Sequence, residues 1–360
     1  MRYRETTVLA EESFTAAGTK TIDITLTDMI SRFLIIAKCT KSKNAMDDHP
    51  AADLTKIELV DGSDVLFSMS GKECQGLNTY EMGKAPGNEL SCYGGVDTHA
   101  QFFINFGRYL YDPQLAFDPT KFKNPQLKLS HNYRVSDIGA TALKLSVYAD
   151  VFDELKPVPS GFLMSKTYYS YVCGVENSYE YIDMPTDFPL RKLILRPYRY
   201  YYEPWLQIKE IRLDEDNLKR IPYDITDLEA WLYKKRSNYP LVHEKLDTTY
   251  DVGTTYRYVM PTDYFQYIYA VTGAVQTGYH TGYLKGGRIG YVQGAAGQEL
   301  HGAVLGNYPH FCIELPFGKP DLIEDWYDVT KVGTLTLRLR AGASGTSGNV
   351  DVVTQQFRRV

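Results

Sequence analysis

An all-β fold of two tandem sandwiches is what this sequence predicts. Three observations carry it: a chain-long internal repeat, a succession of short alternating strands with few helices, and a length that suits two cores. At 360 residues and 41.0 kDa the chain exceeds a usual single core, and two units of roughly 150 to 200 residues match common domain sizes.

In the first half, alternating runs fall near 22–26, 33–39, 55–60, 64–69, 101–106, 126–132 and 142–151. Alternation with period 2 puts one side of each run on a core and the other in water. Leu54-Thr55-Lys56-Ile57-Glu58-Leu59, the turn Asp61-Gly62-Ser63-Asp64 and Val65-Leu66-Phe67 read as a half-buried hairpin. Ser70 and Glu73 have the spacing of a capping box, in which hydroxyl and carboxylate satisfy otherwise orphaned N–H groups, so a helix starts there. Phe102-Phe103-Ile104-Asn105-Phe106-Gly107, Asp112-Pro113-Gln114-Leu115, Asp118-Pro119-Thr120-Lys121 and Leu127-Lys128-Leu129 follow, and Leu143-Lys144-Leu145-Ser146-Val147 closes the half.

Residues 152 to 189 hold Pro157, Pro159, Gly161, Pro185 and Pro189 and read as a connector with some tyrosine-rich strand inside it. The boundary falls near 160, dividing the chain into 1–160 and 161–360.

The second half repeats the order, with strands near 190–198, 205–213, 218–222, 254–260, 264–271, 309–315, 334–340 and 349–357. Ile208-Lys209-Glu210-Ile211-Arg212-Leu213, Asp214-Glu215-Asp216-Asn217 and Leu218 to Ile221 answer the first hairpin. Thr226 with Glu229 answers the capping box; Leu228, Trp231 and Leu232 form an apolar stripe, and Lys234, Lys235 and Arg236 sit where the helix dipole favours cations. Phe311 to Gly318, Pro320-Asp321-Leu322, Asp328-Val329-Thr330-Lys331, Leu335-Thr336-Leu337 and Val350-Asp351-Val352-Val353 complete the match. Seven or eight strands per half suit two eight-stranded jelly rolls with short helices in the connections.

Ile57 and Ile211 are 154 residues apart, but Leu129 and Leu337 are 208 apart, so about 54 residues are inserted in the second half, within about 230–308. There Gly273, Gly278, Gly282, Gly286, Gly287, Gly290, Gly294 and Gly297 alternate with Tyr279, Tyr283 and Tyr291. Such a stretch is expected to build no core and to project as a loop or hairpin exposing those tyrosines.

A net charge of −5 and a pI near 5.9 argue against a surface that tracks a phosphate backbone, so no direct sequence-specific nucleic-acid binding is expected. The longest wholly apolar run, Phe33 to Ala37, is far short of a membrane span, and residues 1 to 15 lack the apolar core of a secretory signal. A soluble chain made in a cytoplasm is the expectation. Cys39, Cys74, Cys92, Cys173 and Cys312 are odd in number and widely spaced, which reads as buried free thiols. Tyrosine is enriched at 30 residues against 15 Phe and 3 Trp. The run Tyr198, Tyr200, Tyr201 and Tyr202 joins apolar area to polar tips, which suits a subunit interface as well as ordinary strand composition.

Chemistry is sparse. None of His49, His99, His131, His243, His280, His301 and His310 pairs with another at metal-site spacing. His310 and Cys312, two apart on an expected strand, lack a third ligand. Asp214 to Asn217 lacks the central glycine and distal glutamate of a calcium loop and reads as a solvated turn. Gly286-Gly287-Arg288-Ile289-Gly290 lacks phosphate-loop spacing, and no serine sits in a nucleophile elbow. No catalytic, cofactor or metal residues are expected.

Two tandem jelly rolls with helices after matching strands and a loop insertion in one half resemble the double jelly-roll major capsid proteins of icosahedral viruses, particularly tailless, lipid-containing bacteriophages. The paired stretches Ile57 to Glu73 with Ile211 to Glu229, and Phe102 to Leu129 with Phe311 to Leu337, carry the resemblance. It implies a structural, non-enzymatic protein of the virion, made in the host cytoplasm. It also implies a homotrimer that forms a pseudo-hexameric capsomer and tiles an icosahedral shell beside neighbouring capsomers and minor capsid proteins. An internal membrane can lie beneath such shells, within reach of termini such as Arg2, Arg4, Arg358 and Arg359. Two alternatives carry different partners. A glycan-binding or host-attachment protein would use the Tyr/Gly-rich insertion, and a tandem jelly-roll glycan-processing amidase would use acidic residues at the seam.

Overall fold

The computed structural model describes residues 1–41, 46–91, 95–136, 139–249, 253–272, 279–280, 286–293 and 299–359. The first half contributes β1 (Tyr3–Phe14), β2 (Gly18–Asp23), β3 (Ile30–Lys41), β4 (Leu54–Asp61), β5 (Asp64–Met69), helix α1 (Gly71–Met82), the two-residue β6 (Leu90–Ser91), β7 (Asp97–Asn105), β8 (Pro125–His131) and β9 (Ala140–Phe152). The second contributes β10 (Gly161–Val172), β11 (Tyr179–Asp183), β12 (Leu190–Tyr198), the one-turn α2 (Pro204–Gln207), β13 (Ile208–Glu215), β14 (Arg220–Ile225) and α3 (Leu228–Lys235). Six strands of the insertion follow: β15 (Val242–Thr249), β16 (Gly253–Tyr258), β17 (Asp263–Thr272), β18 (Tyr279–His280), β19 (Arg288–Gln293) and β20 (Glu299–Asn307). The half closes with β21 (Ile313–Pro316), β22 (Leu335–Ala341) and β23 (Asn349–Arg359).

The sheets duplicate strand for strand. The order β1-β9-β3-β7 in the first half recurs as β10-β23-β12-β21, and β2-β8-β4-β5 recurs as β11-β22-β13-β14. Facing sheets bury their inward side chains as two cores. One centres on Phe33, Phe102, Phe106 and Phe117, the other on Leu193, Leu213, Leu315 and Leu337. Irregularities repeat as well. β3 bulges between Ile30 and Arg32 against β9, and β12 bulges between Leu190 and Lys192 against β23. β1 shifts register between Thr7 and Leu9, and β10 between Thr167 and Tyr169. A bulge bends its strand and is a built feature of a fold, so two coincident bulges mark one duplicated unit.

Side-chain latches repeat too. Asp61 accepts the amides of Lys123 and Asn124 at 3.1 and 2.7 Å, and Asp216 accepts those of Gly333 and Thr334 at 2.9 and 3.0 Å. Asp216 is therefore a latch between its hairpin turn and the next connection, not the solvated turn expected from Asp214 to Asn217. Asp118 and Asp328 each accept the amide two residues on, at 3.0 and 3.2 Å, which starts the same 3₁₀ turn in both halves.

Several boundaries differ from expectation. Within the connector 152–189 the tyrosine-rich strand is two strands, β10 and β11, both of which belong to the second sandwich. β1 shows no clean alternation because it lies at a sheet edge, where neither face is fully buried. Ser70 and Glu73 form the expected capping box, but α3 is capped by Asp227, which accepts the Ala230 amide at 3.0 Å, one residue after Thr226. A carboxylate is the stronger acceptor at an N-cap. Pro309–Phe311 is a 3₁₀ turn with His310 at φ 49°, so the strand expected over 309–315 starts at Ile313. Cys39, Cys74, Cys173 and Cys312 are buried free thiols; Cys92 lies outside the described residues.

The insertion also departs from expectation. Its strands form one sheet, β17-β20-β15, that extends onto β6, and a second, β16-β19-β18. Leu246, Val259, Ile289 and Val304 pack with Met46 and Leu90 of the first half as a small core of their own.

Candidate functional site

The feature that sets this molecule apart from a single sandwich is the seam between its halves. β5 runs parallel to β10, with Phe67 opposite Ser165 and Ser68 opposite Lys166, so one eight-stranded sheet crosses from one half to the other. This junction buries Leu66 and Phe67 to 0% and 2% exposure.

Helix α1 sits at the seam, and its residues from Gly71 to Thr79 are all buried although most are polar. Glycine explains how close it lies: a Cβ on Gly71 would collide with the Ala51 carbonyl oxygen, and one on Gly76 with the Cys312 sulfur of the second half. Buried polar groups cost free energy unless they are paired, and here they are. Asn78 donates to the Phe103 carbonyl at 2.8 Å and accepts its amide at 2.8 Å. Gln75 meets Asn88 at 2.9 Å, donates to the Gln101 carbonyl at 2.9 Å and contacts His310 Nε2 at 3.0 Å. Glu73 holds the Ser70 amide at 2.7 Å and the Thr167 hydroxyl at 3.0 Å. Tyr80 donates to the Cys312 carbonyl at 2.6 Å.

Charges complete the seam. Arg196 pairs with Asp351 at 2.9 Å and donates to the His310 carbonyl at 3.0 Å. Lys72 pairs with Asp48 at 2.6 Å, and Tyr200 bonds to both. Burial pushes the Lys72 ammonium down to about 8 against the pull of Asp48, and burial followed by the charge of Asp351 raises the Glu73 carboxyl. His49 accepts the Ala51 amide on Nδ1 at 3.0 Å, which leaves Nε2 to donate to Glu244 of the insertion at 2.9 Å. Glu244 also accepts the Met260 amide at 2.8 Å. First half, second half and insertion thus meet in one hydrogen-bonded cluster. Among the described residues no group of three His, Cys, Asp or Glu side chains is placed to hold a metal ion.

His310 is held neutral, well below its ordinary range, by burial and then by His49, Lys72 and Arg196. A histidine depressed in the folded state gains its proton on unfolding first, so stability is lost as pH falls below about 6.5. Asp53, raised to about 7 by burial, acts in the opposite sense, its contribution being lost as pH rises from about 3.8 through 7. Comparison with His310→Gln isolates the histidine. Between pH 6.5 and 5 the wild type should lose about 1–2 kcal/mol relative to that variant in urea unfolding midpoints; parallel pH profiles would contradict this.

The tyrosines lie in two settings. Tyr198, Tyr200, Tyr201 and Tyr202 are half-buried at the seam. Tyr200 packs edge-on against Tyr258 and Phe311 at 4.7 and 5.8 Å between centroids. Tyr201 stacks on the Arg288 guanidinium at 3.3 Å, Tyr198 covers Arg196 at 3.8 Å and Tyr202 covers Arg199 at 4.4 Å. Of the tyrosines expected on the exposed insertion, Tyr279 and Tyr291 fall on β18 and β19, their side chains lying outside the described residues, as does Tyr283 entirely. The network of Gln75, Asn88, His49 and Glu244 left no trace in the sequence; Ser70 and Glu73 were the one signal near it.

No protein-family model matches the chain, and no curated protein does. Solved structures do. The MCP of STIV, Sulfolobus Turreted Icosahedral Virus, matches at TM-score 0.63 and 10% identity over 100% of this chain and 98% of its own. The PBCV-1 virus capsid matches at 0.57 and 10%, over 99% and 93%. The major capsid protein P2 from Bacteriophage PM2 matches at 0.53 and 8%, over 99% and 98%. At these identities the likeness is one of fold, a double jelly roll along the whole length.

Proposed function

We propose that this chain is a viral major capsid protein, with residues 1–160 and 161–360 as its two jelly rolls and no catalytic site. The observation that carries this reading is the strand-for-strand duplication joined edge to edge at one seam, in a fold that three capsid proteins share over 93–98% of their own lengths. The physics fits: one chain supplies two similar wedges, so three copies fill a pseudo-hexagonal ring and rings tile an icosahedral shell. The insertion serves as the outward decoration. In this reading Tyr198, Tyr200, Tyr201 and Tyr202 back a contact with a neighbouring copy, and full exposure of all four in an assembled particle would remove that part. Partners are other capsomers, minor capsid proteins and, where present, an internal membrane.

Light scattering of the native protein, followed by electron microscopy of the same fraction, tests the reading. The expected result is a mass near three times 41.0 kDa, or shells. A stable monomer at high concentration would overturn it.

A further inference from the structure

We propose that a second copy of this chain docks its β1 in parallel along β14, with its Glu5 opposite Tyr223 and its Thr6 opposite Asp224. The assignment deepens the trimeric capsid reading and rests on it.

The step that carries the first unit onto the second is defined residue by residue. Ile57 pairs with Met69, Glu58 with Ser68 and Leu59 with Phe67; Ile211, Arg212 and Leu213 pair with Ile225, Asp224 and Tyr223 in the same way. Phe67 therefore corresponds to Tyr223, and Ser68 to Asp224. The coincident bulges of β1 and β10 make Glu5 correspond to Ser165 and Thr6 to Lys166. Within the chain, Phe67 lies beside Ser165 and Ser68 beside Lys166. Taking the same step once more places Tyr223 beside Glu5, and Asp224 beside Thr6, of the next copy.

Both strands are open to receive such a partner. Among the described residues β14 pairs only with β13 and β1 only with β9, and a long unpaired edge is a template for another chain. Leu66 and Phe67, which the seam seals in the first unit, have uncovered counterparts in the second: Pro222 and Tyr223 are half-buried, the adjoining Ile221 is 38% exposed, and a cleft of about 540 Å³ opens beside them.

Charge supplies an independent argument. At the internal seam Arg358 grips Asp64 through two bonds, at 2.8 and 2.5 Å. Asp64 pairs with Asp61 as Arg220 pairs with Glu215, and Tyr3 pairs with Phe152 as Leu163 pairs with Phe357. The counterparts of Asp64 and Arg358 are thus Arg220 and Asp153. The ion pair returns with its signs exchanged, so Arg220 of one copy faces Asp153 of the next. Arg220 is 65% exposed and Asp153 32%. Such a contact is heterologous, and repeated rotation closes it into a ring.

Light scattering across a dilution series of wild type, Arg220→Glu, Asp153→Arg and the double exchange tests the pair. Each single reversal should weaken association about tenfold or more by setting like charges together, and the double exchange should recover it. A second variant, Thr6→Cys with Asp224→Cys, should give covalently linked trimers under oxidation, with neither single cysteine doing so. A trimer that survives both reversals and yields no cross-linked product overturns the edge assignment while leaving the capsid reading intact. A monomeric wild type overturns both.

Discussion

Gly76→Val should sharply destabilise the protein. The new Cβ would collide with the Cys312 sulfur and lie 2.9 Å from its Cβ, and Cys312 is completely buried with no room to retreat. Overpacking a rigid core costs about 1–3 kcal/mol and sometimes more. Here the displaced body is a helix whose Lys72, Glu73 and Gln75 side chains bond across the seam to Tyr200, Thr167 and His310, so the upper end is expected. Gly18→Val, where nothing lies within 4 Å of a Cβ, should change the unfolding midpoint little. Removing the obstacle with Cys312→Ala should recover part of the loss, because contacting sites are not additive. Equal losses at Gly18 and Gly76 would show that α1 does not lie flush against the second half.

Arg196→Ala should follow at about 3–5 kcal/mol, the cost of breaking a buried pair by removing one partner. Arg196 is 5% exposed and holds Asp351, the His310 carbonyl and the Tyr198 ring. Without it Asp351 and the neighbouring Glu73 keep two carboxylates at the seam with no guanidinium between them. Arg196→Met combined with Asp351→Asn removes both charges and should cost markedly less than Arg196→Ala alone. A double variant as damaged as the single one would show that packing rather than charge dominates. Calorimetry of all variants at one pH decides.

The repeat was readable because it is written in local patterns. Ile57 and Ile211 do occupy equivalent positions, and the stretches 102–129 and 311–337 do supply equivalent strands and turns. β1 and β11 were not readable as strands of the sandwiches, since edge strands bury too little of either face to impose alternation; β10, an interior strand, was hidden because its first five residues are all buried and show no alternation. The small core of the insertion was hidden for another reason: Leu246, Ile289 and Val304 come from three separate strands and Val259 from just beyond a fourth, and no short window of sequence contains them.

By itself the sequence determined most strands of the two sandwiches and that they come as two equivalent sets, because period-2 alternation and turn chemistry act over a few residues. Only the tertiary structure decided which edges meet. β5 joins β10 through backbone groups that every residue carries, so the choice of partner has no side-chain signature. The seam was likewise settled in three dimensions. His49 reaches Glu244, and Gln75 reaches His310, across the fold, and a buried polar side chain is tolerable only where its partner, distant in sequence, already stands.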